Sequence, residues 1–260
     1  MPYVSRFRLL VSFSLTSTLV LVVPAHAETT GIVLMHGFGG GPNKDIVGLA
    51  DTLTKAGYLV ERPELCWSLK RAYDRVYTEC LGEVDNTIAK LKSHGAASIV
   101  VAGFSMGGVA ALAYGASHDG LKGVIAIAPA HFPDYFSKHA EVAESLSKAQ
   151  KMISSGHGDD KAPFKEFGTG WMTLNVTARI YLSFDGPDSP GLGQANAANL
   201  KAPLLWVAGA SDPSQKDGPD FAFEKAPPNP LNRYVKVNAD HLGTADASRE
   251  AVLAWLKDLH

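Results

Sequence analysis

The sequence predicts an α/β fold with a doubly wound, mostly parallel sheet, and three observations support that prediction. Short, almost entirely apolar runs recur along the chain, as expected for strands that are buried on both faces. Stretches with apolar residues at helical spacing separate these runs, as in a sheet with helical crossovers. One apolar run leads directly into Gly103-Phe104-Ser105-Met106-Gly107, which places a serine between a strand and a helix.

The composition is that of a globular chain with one sizeable core. Of the 260 residues, 46% are hydrophobic and 19% are charged, so a single domain is the simplest organisation. The sequence has no basic run and no basic stripe interleaved with aromatic residues. Nothing in the charge pattern therefore favours binding to nucleic acid or to an anionic membrane surface.

Residues 1–27 have the pattern of a signal peptide. Arg6 and Arg8 precede a mostly apolar run that ends at Val23, and Ala25-His26-Ala27 supplies an A-x-A cleavage site. The alternative is an uncleaved membrane anchor, but the run contains serine and threonine and is short for a bilayer span. We expect an exported protein, periplasmic or secreted, without stable membrane insertion after cleavage. Cleavage lowers Lys+Arg from 24 to 22 against 26 Asp+Glu, which gives a net charge of −4.

Two cysteines, Cys66 and Cys80, lie in the mature region, residues 28–260. In an oxidising compartment we expect them to form one disulfide, worth about 3 kcal/mol in the chain-entropy model. Two buried free thiols are the alternative. Neither cysteine has a partner at metal-ligand spacing, so the sequence predicts no metal site.

The first predicted strand, Thr30–Met35, ends in the glycine-rich loop His36-Gly37-Phe38-Gly39-Gly40-Gly41-Pro42. Such a loop can turn tightly with its amide groups pointing into open space, which an oxyanion hole requires. The glycine spacing matches no phosphate-binding motif. The other predicted elements are helices over 44–56, 68–93, 109–117 and 245–256, and strands over 58–63, 98–104, 123–129, 203–209 and 234–237.

The turn around Ser105 carries the functional prediction. A strand that reverses into a helix within two residues leaves no room for a Cβ at Gly103 or Gly107, and it holds the serine in a strained conformation with its hydroxyl projecting. This is the nucleophile elbow, and from about Thr30 onward the chain resembles the α/β-hydrolase family. The resemblance implies acyl transfer from a serine nucleophile without a metal or organic cofactor.

In that family the catalytic residues follow the chain order Ser, Asp or Glu, His. Asp212 follows the strand over 203–209 in a Gly-x-x-Asp pattern, and His241 follows the last strand. The resemblance therefore implies that Ser105 is the nucleophile, His241 the base and Asp212 the acid that orients it. Asp134, beyond the strand over 123–129, remains the competing acid.

The resemblance also places the oxyanion-hole donors, at the backbone N–H groups of Phe38 and Met106. His36 is predicted to shape the loop rather than to act as a base. His131, just after the strand over 123–129, is a candidate substrate contact.

About seventy residues separate the strands over 123–129 and 203–209, which is too long for a simple crossover. They contain a predicted amphipathic helix over 133–154, a polar glycine-rich break and a second stretch around 173–184. The family commonly carries a lid here, so we predict a helical lid insertion over about 131–200, with a scaffold extension as the alternative. Its aromatic residues can line an acyl pocket or simply pack together: Phe132, Tyr135, Phe136, Phe164, Phe167, Trp171 and Tyr181.

The sequence thus predicts a serine hydrolase that cleaves a carboxylic ester of a small acyl substrate through an acyl-enzyme. A thioesterase, an amidase or peptidase, and an acyltransferase would use the same three residues. A non-catalytic exported binding scaffold is the alternative from another class of protein.

Overall fold

The computed structural model describes residues 29–167 and 170–259, together with residues 1 and 3. The predicted signal peptide lies outside these residues apart from its first and third positions, and export remains a prediction. No helix within the described residues is long and apolar enough to cross a membrane.

The chain alternates strands with helices, as predicted. The strands are β1 Thr30–Met35, β2 Leu59–Glu61, β3 Ser98–Phe104, β4 Gly123–Ile127, β5 Lys161–Phe167, β6 Trp171–Thr177, β7 Leu204–Gly209 and β8 Arg233–Val237. The helices are α1 Val47–Lys55, α2 Tyr77–Ser93, α3 Met106–Ser117, α4 Pro133–Phe136, α5 Ala140–Ser154, α6 Ala178–Asp185, α7 Gly193–Ala198, α8 Thr244–Ala247 and α9 Arg249–Asp258.

The main sheet has six strands in the order β2-β1-β3-β4-β7-β8, and every neighbouring pair is parallel. Strands β1, β4 and β7 are buried along their whole length, as their uninterrupted apolar runs predict. Successive side chains of a strand point to opposite faces. Ile32 and Leu34 accordingly pack with α1 and α9, whereas Val33 and Met35 pack with α2 and α3. The doubly wound parallel sheet is confirmed.

The helix predicted over 68–93 begins only at Tyr77. Ala72 and Tyr73 before it have φ angles of +49° and +58°, a left-handed conformation that ends a right-handed helix. Cys66 and Cys80 form a disulfide with Cα atoms 5.8 Å apart, and the Tyr73 N–H donates to the Cys66 carbonyl at 2.8 Å. The preceding residues therefore form a compact loop, here called the disulfide loop, residues 66–80.

The insertion between β4 and β7 is only partly helical. The predicted helix over 133–154 is two helices, α4 and α5, and the second predicted stretch divides into the end of β6 and all of α6. The antiparallel hairpin of β5 and β6 was not predicted, although β5 alternates buried and exposed residues. Its polar and charged residues conceal the period of two from a hydrophobicity pattern. The role of the insertion as a lid remains a prediction.

Candidate active site

Ser105 lies in the turn between β3 and α3, with φ +54° and ψ −119°, and it is 4% exposed. A Cβ at Gly103 would collide with the Gly107 carbonyl, and one at Gly107 would collide with the Met35 carbonyl. The turn is therefore possible only with glycine at both positions. Its strained backbone is typical of a functional site.

The structure brings Ser105, His241 and Asp212 together from the ends of β3, β8 and β7. His241 Nε2 lies 3.0 Å from Ser105 Oγ, and His241 Nδ1 lies 2.7 Å from Asp212 Oδ2. The imidazole packs against the Phe104 ring, with centroids 5.1 Å apart. These contacts form a continuous path along which the hydroxyl can lose its proton to the imidazole.

The surroundings of Asp212 favour its ionised form. Burial raises the pKa of this carboxyl, but hydrogen bonds from His241 and Ser214 outweigh burial and hold the pKa below its usual value. Ser214 donates both its hydroxyl and its N–H to Asp212 Oδ1, at 2.7 and 2.9 Å. Asp212 is thus a fixed anion beside the imidazole.

The carboxylate of Asp134, the competing acid, binds to another part of the chain. Its carboxylate accepts the N–H groups of Gly193 and Gln194, at 3.2 and 3.4 Å, around the start of α7. The structure therefore places Asp212, and not Asp134, against His241.

His36 is fully buried, and both of its ring nitrogens are occupied. Nδ1 is 2.8 Å from the Gly37 carbonyl, which makes it the protonated nitrogen, and Nε2 accepts the Leu65 N–H at 3.2 Å. Burial lowers the pKa of this imidazole. The ring joins the glycine-rich loop to the segment before the disulfide loop.

The disulfide loop braces the predicted oxyanion hole. The Gly39 N–H donates to the Trp67 carbonyl at 3.0 Å, and Trp67 Nε1 donates to the His36 carbonyl at 2.9 Å. The N–H groups of Phe38 and Met106 donate to no other group within the described residues. Both remain available as donors to an oxyanion next to Ser105.

A small pocket opens near these residues, with a cavity volume of about 30 Å³. Ala130, whose N–H donates to the Ser105 carbonyl at 3.3 Å, lines one wall, and Ser214 lines another. His131 also lines the pocket and stacks on the Phe38 ring, 5.1 Å between centroids. The remaining walls are mostly aromatic: Phe132, Tyr135, Phe136, Trp206 and Phe221. The pocket is therefore linked to the nucleophile through Ala130, to the acid through Ser214 and to the glycine-rich loop through His131.

Sequence reasoning missed three polar residues near this site. Ser214 holds Asp212, and Gln215 joins Trp206 Nε1 to the Pro129 carbonyl, at 3.0 and 2.8 Å. The sequence Asp212-Pro213-Ser214 is typical of a turn, and this pattern could have predicted the contact between Ser214 and Asp212. Glu166 is buried on β5, and no sequence pattern distinguishes it from a surface residue. Among the described residues, no group of three or more His, Cys, Asp or Glu is arranged to bind a metal ion.

Comparison with solved structures identifies the fold. A monoacylglycerol lipase from Paleococcus ferrophilus is 19% identical, with a TM-score of 0.64 over 88% of this chain and 95% of the other. Est1E from Butyrivibrio proteoclasticus, solved with ferulic acid, is 17% identical, with a TM-score of 0.64 over 89% and 91%. An enol-lactonase from Burkholderia xenovorans LB400 is 20% identical, with a TM-score of 0.57 over 90% and 93%. No family model and no curated protein sequence matches the chain. At these identities the likeness concerns the fold: the chain has the α/β-hydrolase fold.

Proposed function

We propose that the protein is a serine hydrolase that cleaves carboxylic esters through an acyl-enzyme on Ser105. The observation that carries the proposal is the pair of contacts of His241, 3.0 Å to Ser105 Oγ and 2.7 Å to Asp212 Oδ2. A serine hydroxyl is a weak nucleophile until a base accepts its proton, and the base needs a fixed acceptor on its other nitrogen. Esterase and lipase activity in proteins of the same fold supports the proposal.

In the first half-reaction, Ser105 Oγ attacks the ester carbonyl carbon while its proton passes to His241 Nε2. The carbonyl oxygen becomes an oxyanion that accepts hydrogen bonds from the Phe38 and Met106 N–H groups. One such donor contributes about 10²- to 10³-fold in rate in related chemistry. The tetrahedral species then collapses: the bond to the leaving oxygen breaks, and His241 returns its proton to that oxygen to release the alcohol.

In the second half-reaction, water attacks the acyl-enzyme and gives a proton to His241 Nε2. Collapse releases the carboxylic acid and returns the proton to Ser105 Oγ. The Asp212 carboxylate stabilises the imidazolium that forms in both halves, because it is buried and accepts the Nδ1 proton. The apolar part of the ester lies against the aromatic walls of the pocket, since Ala130, whose N–H donates to the Ser105 carbonyl, lines the same pocket.

The test is hydrolysis of p-nitrophenyl esters of graded chain length by wild type, Ser105→Ala and Ser117→Ala. Ser117 is an exposed serine at the far end of α3, so its replacement is the matched control. We expect turnover by wild type and control, a loss of at least 10³-fold in Ser105→Ala, and labelling of Ser105 by a fluorophosphonate probe.

The same acyl group offered as a thioester and as an anilide tests the competing bond types. A kcat/KM for either that exceeds the value for the ester moves the assignment to thioesterase or amidase chemistry on the same residues. Absence of both turnover and fluorophosphonate labelling contradicts the proposal and favours a binding scaffold.

A further inference from the structure

Four polar side chains form a group on one side of the Phe38 ring, and we call them the polar cluster: His131 and Tyr73, which contact the ring, and Glu166 and Asp185, which lie beside those two. The Phe38 ring lies 5.1 Å from the His131 ring and 5.7 Å from the Tyr73 ring. The polar cluster therefore lies directly against a residue whose N–H faces the reacting carbonyl.

His131 is held in an unusual position in this cluster. Its φ is +72°, which a non-glycine residue adopts rarely, and its side chain is 8% exposed. Nδ1 is buried 3.6 Å from Glu166 Oε1, which is beyond hydrogen-bond length, and has no hydrogen-bond partner among the described residues. Leaving a buried polar atom unpaired costs about 1–3 kcal/mol. A strained backbone and an unpaired nitrogen beside a reactive centre together indicate a functional residue.

The insertion supplies two buried carboxyls to the same cluster. The alternation of β5 turns Glu166 to the face that also buries Ala162 and Phe164, and α6 supplies Asp185. Burial and the neighbouring Glu166 raise the pKa of Asp185 well above its usual value. The Glu166 carboxyl faces the His131 imidazole, with Oε1 3.6 Å from Nδ1.

His131 is one of the polar side chains that line the pocket, together with Tyr135, Ser214, Gln215 and the exposed Asp217. The Gln215 amide bonds to Trp206 and to the Pro129 carbonyl, and the Ser214 hydroxyl donates to Asp212. The His131 imidazole lines the pocket on one side and approaches the carboxyl pair on the other.

We propose that His131, supported by Glu166 and Asp185, binds a hydroxyl group that the substrate carries close to its scissile carbonyl. The preferred substrates are thus hydroxylated esters, an inference that rests on the proposed function. A hydroxyl both donates and accepts, so it pairs with an imidazole in either protonation state. A carboxylate would bring a second carboxyl group beside Asp217 of the pocket wall, and a charged amine would lose hydration among the aromatic walls.

The test compares p-nitrophenyl butyrate with the p-nitrophenyl esters of 2-hydroxybutyrate and 3-hydroxybutyrate. For wild type we expect kcat/KM to be about tenfold higher for one hydroxylated ester than for butyrate, the value of one good hydrogen bond. His131→Phe keeps an aromatic ring against Phe38, and it should lower kcat/KM about tenfold more for the hydroxylated ester than for butyrate, which removes the preference. His139→Phe, at an exposed histidine of the insertion, is the matched control and should keep the preference.

Two results overturn the inference while leaving the proposed function intact: equal kcat/KM for the three esters with wild type, or an equal loss for all three in His131→Phe. Inhibition of wild type by free butyrate, 2-hydroxybutyrate and 3-hydroxybutyrate tests the inference without a variant. Hydroxybutyrates that inhibit no better than butyrate also contradict the inference. If wild type hydrolyses none of the esters and Ser105 resists a fluorophosphonate, the proposed function fails and the inference fails with it.

Discussion

Replacing Asp212 with asparagine tests the electrostatic part of the site. The Asp212 side chain is 1% exposed and accepts the His241 Nδ1 proton at 2.7 Å. Removing one partner of a buried charged pair costs about 3–5 kcal/mol, and each 1.4 kcal/mol of barrier is a factor of ten in rate. We therefore expect Asp212→Asn to lower kcat for p-nitrophenyl ester hydrolysis about 10²- to 10⁴-fold. KM should change little, because Asp212 lies behind the imidazole.

The matched control is Asp134→Asn, which alters the contacts of the Asp134 carboxylate at the start of α7 and leaves His241 untouched. It should change kcat less than threefold, and thermal unfolding of both variants verifies that they fold. The rate of fluorophosphonate labelling should fall in parallel with kcat in Asp212→Asn, because both need the activated serine. Retention of more than a tenth of wild-type kcat in Asp212→Asn, or an equal loss in Asp134→Asn, would refute the assignment of the acid.

Three further predictions concern the supports of the site. Ser214→Ala removes a hydroxyl donor to Asp212 and should lower kcat about tenfold with an unchanged fold, as measured by ester hydrolysis and circular dichroism. Replacing both Cys66 and Cys80 with serine should lower the free energy of unfolding by about 3 kcal/mol in urea titrations, and an unchanged stability would contradict the entropic account. The pKa of Asp185 is raised in the folded state, so above its unfolded-state pKa of about 3.9 this group takes up a proton on folding. Its contribution to the free energy of unfolding is therefore largest below that pH and is lost as pH rises towards the folded-state pKa. Asp185→Asn should accordingly raise Tm relative to wild type more at pH 8 than at pH 4, and a difference that does not depend on pH would exclude this account.

The sheet could be predicted from the sequence because its strands are buried on both faces. An uninterrupted apolar run such as Thr30–Met35 is typical of a strand buried on both faces. A Gly-x-Ser-x-Gly pattern between a predicted strand and a predicted helix favours the nucleophile-elbow turn. The proposed catalytic residues Ser105, Asp212 and His241 follow such runs, so they could be predicted from chain order. These predictions depend on local patterns, which a single sequence contains.

The insertion and the disulfide loop depend on contacts between distant residues, and the sequence predicts them poorly. Helix α2 begins only at Tyr77 because the disulfide between Cys66 and Cys80 and the left-handed backbone of Tyr73 hold the preceding residues in a loop. Neither feature alters the hydrophobic periodicity of the sequence. Glu166 is buried because β5 pairs with β6 and turns it inward. Before that pairing is known, a lysine-rich strand with a glutamate resembles solvent-exposed surface.

The disulfide loop also couples the insertion to the oxyanion hole. Tyr73 packs against Phe38 on one side and against Phe184 of α6 on the other, with centroids 5.7 and 4.6 Å apart. Tyr77 stacks on the same Phe184, with ring centroids 4.5 Å apart, and its N–H donates to Ser183 Oγ at 3.0 Å. Each aromatic pair adds about 0.5–1.5 kcal/mol beyond its buried area, so α6 is anchored to the loop that braces the glycine turn. If the insertion acts as a lid and Phe38 is an oxyanion donor, as predicted, we expect α6 to stay in place during opening, because its displacement would break the contacts that join it through Tyr73 to Phe38.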